Sequence, residues 1–193
     1  MKLILASGSF LKNYIMDKSR LPYEVKPADI DETIYDHLEV SERVVALAKD
    51  KCRVVAERYP DAIVIAADTL TASASGHVFS KPAPGQDPIE AALQLSGAHI
   101  SVFTGCCVYV PSDGYEAKLS SGEIVYQQFD RATLERLAED DNPQIRSGAL
   151  GVFVDAPGFT LIESIRGSYT GIFGLPMEFV YNRLRFAEQK DKI

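Results

Sequence analysis

The chain has 193 residues, 46% of them hydrophobic and 24% charged, which suits one domain with a substantial core and excludes wholesale disorder. Its net charge is −7 and its pI is near 5.0, a balance that repels nucleic acid and anionic membranes, so any phosphate-binding role needs a locally basic pocket. Three cysteines, Cys52, Cys106 and Cys107, form neither a disulfide framework nor a zinc spacing, which points to a reducing cytoplasm.

Leu3–Ala6 reads as a short buried strand, with only Lys2 and no cleavage-like flank before it, so it is a strand and not a signal peptide. It runs into Ser7-Gly8-Ser9. Ser9 is the expected N-cap of a helix over Phe10–Met16, with Leu11, Ile15 and Tyr14 inward. A strand, a small polar turn and a helix start together make an anion site: backbone N–H groups and the helix dipole face one point. Tyr23–Val25 reads as a second strand, followed by an acidic loop, Asp29–Glu32. A long helix is expected over Ser41–Tyr59, with Val44, Leu47, Ala48, Cys52, Val55 and Ala56 on one face.

Ala62–Ala67 is the longest wholly apolar run, far too short to span a bilayer, and reads as a central strand covered on both faces. A small hairpin is expected at Thr69–Ser73 and His77–Ser80. Asp87-Pro88 opens a short helix that Gly97 stops. Strands are expected at Ile100–Val110 and Glu123–Phe129, with a polar stretch and a Ser112-Asp113-Gly114 turn between them. Asp130 caps a helix over Arg131–Glu139. Ala149–Val154 and Phe159–Ser164 read as a further strand pair. Arg166–Pro176 reads as a glycine-rich loop, and Pro176 starts a final helix to about Glu188, with Phe179, Val180 and Leu184 inward. Strands and helices alternate first and strands dominate later, which implies an α/β or α+β chain with a mixed sheet.

Few polar residues are placed to do chemistry. Asp68 directly follows the apolar run, where α/β sheets bind ligands, or it caps a turn; position alone leaves the two even. Glu32 is either part of a solvated acidic loop or a ligand for a hard divalent cation, which needs few protein carboxylates. Lys51 shares a row with Leu47 and Val55. It either snorkels from the edge of the apolar stripe or turns an ammonium inward toward a phosphate. Lys81 follows the hairpin in a Ser-Lys-Pro segment, a setting in which lysine is usually only solvated. His37, His77 and His99 are scattered, with no metal-type or triad spacing.

The ordered set LILASGS at Leu3–Ser9, LPYEV at Leu21–Val25, DIDE at Asp29–Glu32, LAKDKC at Leu47–Cys52, AADT at Ala66–Thr69, KP at Lys81-Pro82, LSG at Leu95–Gly97, TG at Thr104-Gly105 and IRGSYTGIFGLP at Ile165–Pro176 resembles the Maf family of nucleotide pyrophosphatases, the septum formation inhibitor-like proteins. The resemblance covers nearly the whole chain. It implies an α/β fold with an elongated mixed sheet flanked by helices and a central cleft, similar to that of inosine triphosphatases. It also implies a single domain over residues 1–193, arranged as one body or as two lobes about the cleft. The implied activity is hydrolysis of nucleoside triphosphates, non-standard or pyrimidine, to the monophosphate and pyrophosphate. The implied cofactor is a divalent metal, magnesium or manganese, and the implied state a cytoplasmic homodimer with a nucleotide substrate and no nucleic-acid or membrane partner. The alternative it leaves is a catalytically weakened nucleotide-binding regulator of cell division.

The same resemblance implies roles. Ser7, Gly8 and Ser9 hold phosphate, with Lys12 and Arg146 as further cations. Glu32 helps bind metal, Asp68 activates water or binds the metal, and Lys51 and Lys81 neutralise the triphosphate. The chain departs from the family pattern where Pro-Arg-Arg is usual after the turn: here stand Phe10, Leu11 and Lys12. Lysine offers a point charge where arginine offers a fork, and Arg20 is the next cation that could compensate. Leu150 and Phe153 replace an aromatic and an amide, which leaves base recognition and the substrate open.

Overall fold

Strand β1 (Leu3–Leu5) runs parallel to β2 (Glu24–Val25) on one side and to β3 (Ile63–Ser73) on the other, with Ile4 level with Val64 and Leu5 with Ile65. This arrangement was obtained as a computed structural model, which describes residues 1–79, 85–139 and 160–190. Lys81, Arg146, Leu150, Phe153 and the expected strand at Ala149–Val154 lie outside the described residues.

The described strands form one seven-stranded mixed sheet in the order β2-β1-β3-β5-β6-β7, with the short β4 (Val78–Phe79) paired antiparallel to the end of β3. β5 spans His99–Val110, β6 Gly114–Tyr126 and β7 Ile162–Gly167; β6 and β7 are antiparallel, with a bulge at Val125/Tyr126. Helices α1 (Phe10–Ser19), α2 (Val40–Arg58), α3 (Pro88–Leu93), α4 (Arg131–Glu139), α5 (Tyr169–Ile172) and α6 (Met177–Lys190) are joined by a 3-10 turn at Glu32–Tyr35. No helix among the described residues is long and apolar enough to cross a membrane.

The chain divides into two compact units. The first comprises Met1–Thr69, Phe103–Ser121 and Ser168–Ile193. Its apolar cluster joins Ile4 and Ala6 of the β1 segment, Ala48, Cys52, Val55 and Ala56 of α2, Val64 and Ala66 of β3 and Cys107 of β5. The alternation of a strand explains the rest: Ile63, Ile65 and Ala67 turn to the opposite face and are buried too, as expected of a strand covered on both sides. Burial of each of the two isoleucines contributes about 1.5–3 kcal/mol. Gly105 sets how close α2 comes to β5. A Cβ there would lie 2.1 Å from the Val44 carbonyl oxygen, so only glycine fits. On α6 it is Arg183, and not the expected Leu184, that is fully inward; its guanidinium meets Asp113 at 2.6 Å and Glu116 at 3.1 Å. These two carboxylates, Asp113 on the β5–β6 turn and Glu116 on β6, make that burial tolerable.

The second unit comprises Leu70–Val102 and Gly122–Gly167. Asp87 caps α3 by accepting from the Ile89 N–H at 2.9 Å, and Pro88 takes the first helical position. Arg131, at the start of α4, bonds Asp87, Glu90 and Glu135. Ser96 closes the loop after α3, donating to the Phe129 carbonyl at 2.6 Å and accepting from its N–H at 2.8 Å.

Several expectations are corrected. β3 does not stop at Ala67: it runs on through Asp68 to Ser73, because pairing, and not side-chain polarity, carries a strand forward. The polar stretch before Glu123 is strand as well; most of its side chains over residues 114–121 point to solvent, so it shows no apolar alternation. The helix after Ser9 reaches Ser19, with Ile15 and Met16 buried and Leu11 and Tyr14 only half-buried. The glycine-rich segment holds the short helix α5, capped by Ser168, whose hydroxyl accepts from the Gly171 N–H at 2.9 Å.

Candidate active site

Asp68 lies two residues beyond Ala66 on β3 and so projects to the face that α2 covers. On α2, Lys51 sits between Leu47 and Val55, both buried, and the helix row carries its stem inward. The two meet: Lys51 Nζ is 2.6 Å from Asp68 Oδ1, with 13% and 12% of the side chains exposed. The same ammonium is 2.6 Å from Glu32 Oε1, contributed by the 3-10 turn, whose own start is fixed by Asp31 accepting from the Thr33 N–H at 3.0 Å. Burial works against the charge on Lys51, but Asp68 and Glu32 outweigh it and raise its pKa above the usual lysine value.

The Ser7-Gly8-Ser9 turn leaves the carboxyl end of β1, the neighbour of β3. Ala6 N–H still donates to the Ile65 carbonyl at 2.8 Å, two residues before the turn's middle and three before Asp68 on the paired strand. Ser7 Oγ accepts from the Ser9 N–H at 3.2 Å. Ser9 occupies the N-cap in extended conformation, as expected, although its hydroxyl bonds no helical N–H. The turn is held from within α1 instead. Asn13 Nδ2 donates to the Ser9 carbonyl at 2.8 Å and to the Ser7 carbonyl at 3.3 Å. The Ser9 side chain caps none of the amides at the helix start, which are the donors an anion site uses.

Lys12 and Thr69 flank Gly174. A Cβ on that glycine, whose φ is +97°, would lie 3.0 Å from Thr69 Oγ1 and 3.5 Å from Lys12 Nζ. Thr69 is fixed in turn by Thr104, buried on β5. Thr104 Oγ1 has one proton and donates it to the Gly171 carbonyl at 2.7 Å, so at 2.9 Å it accepts from the Thr69 hydroxyl. Glu178 completes this corner at the start of α6, accepting from Thr170 Oγ1 at 3.1 Å. Burial pushes the Glu178 carboxyl up, but hydrogen bonds from Ser168, its own N–H and Thr170 hold it below the usual range.

Of the residues expected in a site, the structure thus joins Glu32, Lys51 and Asp68 directly. It sets Lys12 beside Thr69, the residue after Asp68, and the serine turn at the end of the strand next to β3. Arg20 does not compensate for Leu11. It is the C-cap of α1, about 15 Å along the helix from the turn. Sequence reasoning missed Asn13, Thr69, Thr104, Gly171 and Gly174 as parts of one arrangement. A threonine inside an apolar strand was the available signal for Thr104, and an asparagine four residues after a serine turn that for Asn13.

Two carboxylates converging on one cation position suit a hard dication that completes its shell with water and phosphate oxygens. Among the described residues no group of three or more His, Cys, Asp or Glu could hold a metal ion without such help.

Residues 2–187 match the family model described as Maf-like protein. The chain belongs to the Maf family. Its curated relatives include proteins named dTTP/UTP pyrophosphatase. One from Moorella thermoacetica is 34% identical over 91% of this chain and 90% of its own. One from Koribacter versatilis is 31% identical over 97% and 95%, and one from Deinococcus radiodurans 30% identical over 96% and 93%. A solved nucleoside-triphosphatase, a dITP/XTP pyrophosphatase from Mycobacterium abscessus, aligns over 65% of this Maf-family chain and 74% of its own at 13% identity and a TM-score of 0.39.

Proposed function

We propose that the protein is a nucleoside triphosphate pyrophosphatase that hydrolyses pyrimidine or non-standard nucleotides to the monophosphate and pyrophosphate, as the names of its Maf-family relatives suggest. The observation that carries the reading is the Lys51 ammonium held between Glu32 and Asp68. Anhydride hydrolysis at phosphorus needs positioned cations and a base more than a covalent nucleophile. The amides of the Ser7-Gly8-Ser9 turn and Lys12 take phosphate oxygens. Lys51 and Lys81 spread the charge of the departing pyrophosphate, and Arg146 adds a further cation. Asp68 orients a water toward the α-phosphorus and takes its proton, and the α–β bridging oxygen leaves with the pyrophosphate. Glu32 and Asp68 would hold a magnesium or manganese ion, which when bound neutralises the triphosphate. The rest of the proposal is a cytoplasmic homodimer built from one domain over residues 1–193. Size-exclusion chromatography with light scattering tests the dimer.

The deciding experiment measures pyrophosphate release from a nucleotide panel, dTTP and UTP included, with magnesium or manganese, for wild type and Asp68→Asn. The substitution is expected to lower turnover at least a hundredfold; robust turnover that survives it sinks the role of Asp68. A second reading, a weakened nucleotide-binding regulator of division, draws on Leu11, half-buried and without a donor where the family has arginine. Tight calorimetric binding of nucleotide without turnover favours it, and enzyme-like turnover removes it.

A further inference from the structure

Two carboxylates that would hold a metal already hold a cation of the protein's own. We infer that Lys51 is the resident counter-cation of the Glu32–Asp68 pair, and that it keeps free divalent metal out until a triphosphate arrives to take the ammonium. The inference rests on the pyrophosphatase reading above and adds to it an order of binding.

The geometry leaves little room for both cations. Lys51 Nζ is 2.6 Å from an oxygen of each carboxylate, and the lysine and Asp68 are almost closed to solvent. A dication placed between the same two oxygens would stand beside the ammonium, and in this half-dry setting like charges repel strongly. The pair also offers too little on its own. Two negative charges and one positive leave a net of one negative, and no third acid joins them among the described residues. A hard dication dehydrates reluctantly and needs more oxygens than that. A triphosphate changes both terms at once. Its oxygens supply the missing ligands, and its charge gives the ammonium another partner within reach of the same stem. Metal and nucleotide then favour each other's binding by one shared factor, as linkage requires.

The half-exposed position of Glu32 fits this exchange better than a purely structural bridge does. An exposed carboxylate contributes little as a fixed salt bridge, because solvent screens it and ordering it costs entropy. It is, however, free to turn from an ammonium to a metal ion.

The test titrates the full chain with manganese(II) alone and reads the free ion by electron paramagnetic resonance. Lys51→Met is expected to bind manganese at least about tenfold more tightly than wild type. Adding Glu32→Gln to that variant is expected to remove the gain. Equal affinity of wild type and Lys51→Met overturns the inference, as does a gain that persists without Glu32. Should Lys51→Met fail to fold by circular dichroism, wild type decides alone. Its manganese affinity must rise at least tenfold in the presence of a non-hydrolysable triphosphate analogue, after correction for the ion bound by the analogue itself. An unchanged affinity overturns the inference. Absence of pyrophosphate release from every nucleotide is a separate result, and it overturns the pyrophosphatase reading instead.

Discussion

The Asn13 carboxamide reaches back one helical turn and donates to the Ser9 carbonyl at 2.8 Å, so the first turn of α1 holds the loop that precedes it. The Tyr23 hydroxyl, 2.8 Å from Asp17 and 3.2 Å from the Asn13 side-chain oxygen, anchors this helix face in turn. Asn13→Ala therefore loosens the serine turn without touching Asp68. The expected outcome is a KM for nucleotide raised roughly three- to tenfold with kcat nearly kept, and a stability loss of about 1 kcal/mol. Steady-state pyrophosphate release and urea unfolding measure the two. An unchanged KM would sink the turn as a phosphate holder.

Thr104→Val keeps the shape of a fully buried side chain but removes the donor to Gly171 and the acceptor for Thr69. The variant is expected to lose about 1–3 kcal/mol, the cost of unpaired buried polar groups. Thr104→Ser restores both bonds and is expected to recover most of the loss. Chemical denaturation of the three proteins checks the series, and a Val variant as stable as wild type refutes the relay.

Gly105→Ala puts a methyl group into the backbone of α2, 2.1 Å from the Val44 oxygen and 2.6 Å from the Val45 nitrogen. Neither atom can swing aside as a side chain would. The expected cost is about 1–3 kcal/mol or an insoluble protein. The melting temperature and soluble yield report it, and a wild-type melting temperature contradicts the close approach.

Glu178 supplies a pH signature. Its carboxyl titrates below its ordinary 4.5 in the folded chain, so it stabilises the fold above that value and the contribution is lost as pH falls through the depressed one. Denaturation midpoints taken from pH 6 down to pH 3 should therefore fall less steeply for Glu178→Gln than for wild type. Parallel curves would remove the hydrogen bonds from Ser168 and Thr170 as the cause.

The elements that could be read from the chain are those whose signal is local. The long helix, expected over Ser41–Tyr59, spans Val40–Arg58, since its apolar stripe repeats for five turns. Lys51 shares its row with Leu47 and Val55, which leaves a snorkelling stem and an inward ammonium both open; its meeting with Glu32 and Asp68 decides for the second. What could not be read depends on partners distant in sequence. The outer half of β6 has no apolar alternation because solvent covers it, and only the pairing of its neighbours makes it a strand. Arg183 is buried because Asp113 and Glu116 lie far upstream in the chain, and nothing in α6 records that. Asp68 ended an apolar run, which looked like the end of a strand; the backbone had no reason to stop there. The Thr69–Thr104–Gly171 chain joins three segments, so its members carry no common spacing.

The first unit is assembled from three separate stretches, residues 1–69, 103–121 and 168–193. On the ribosome its opening strand, turn and long helix emerge first and wait. Thr104 arrives later, and Gly171, Gly174 and Arg183 later still. Lys51 and Asp68 can meet early, whereas the corner that secures Thr69 and faces Lys12 closes only with the final stretch. The ion pair therefore spans 17 residues of chain while the Thr104–Gly171 bond spans 67, and contacts of such long sequence separation form slowly.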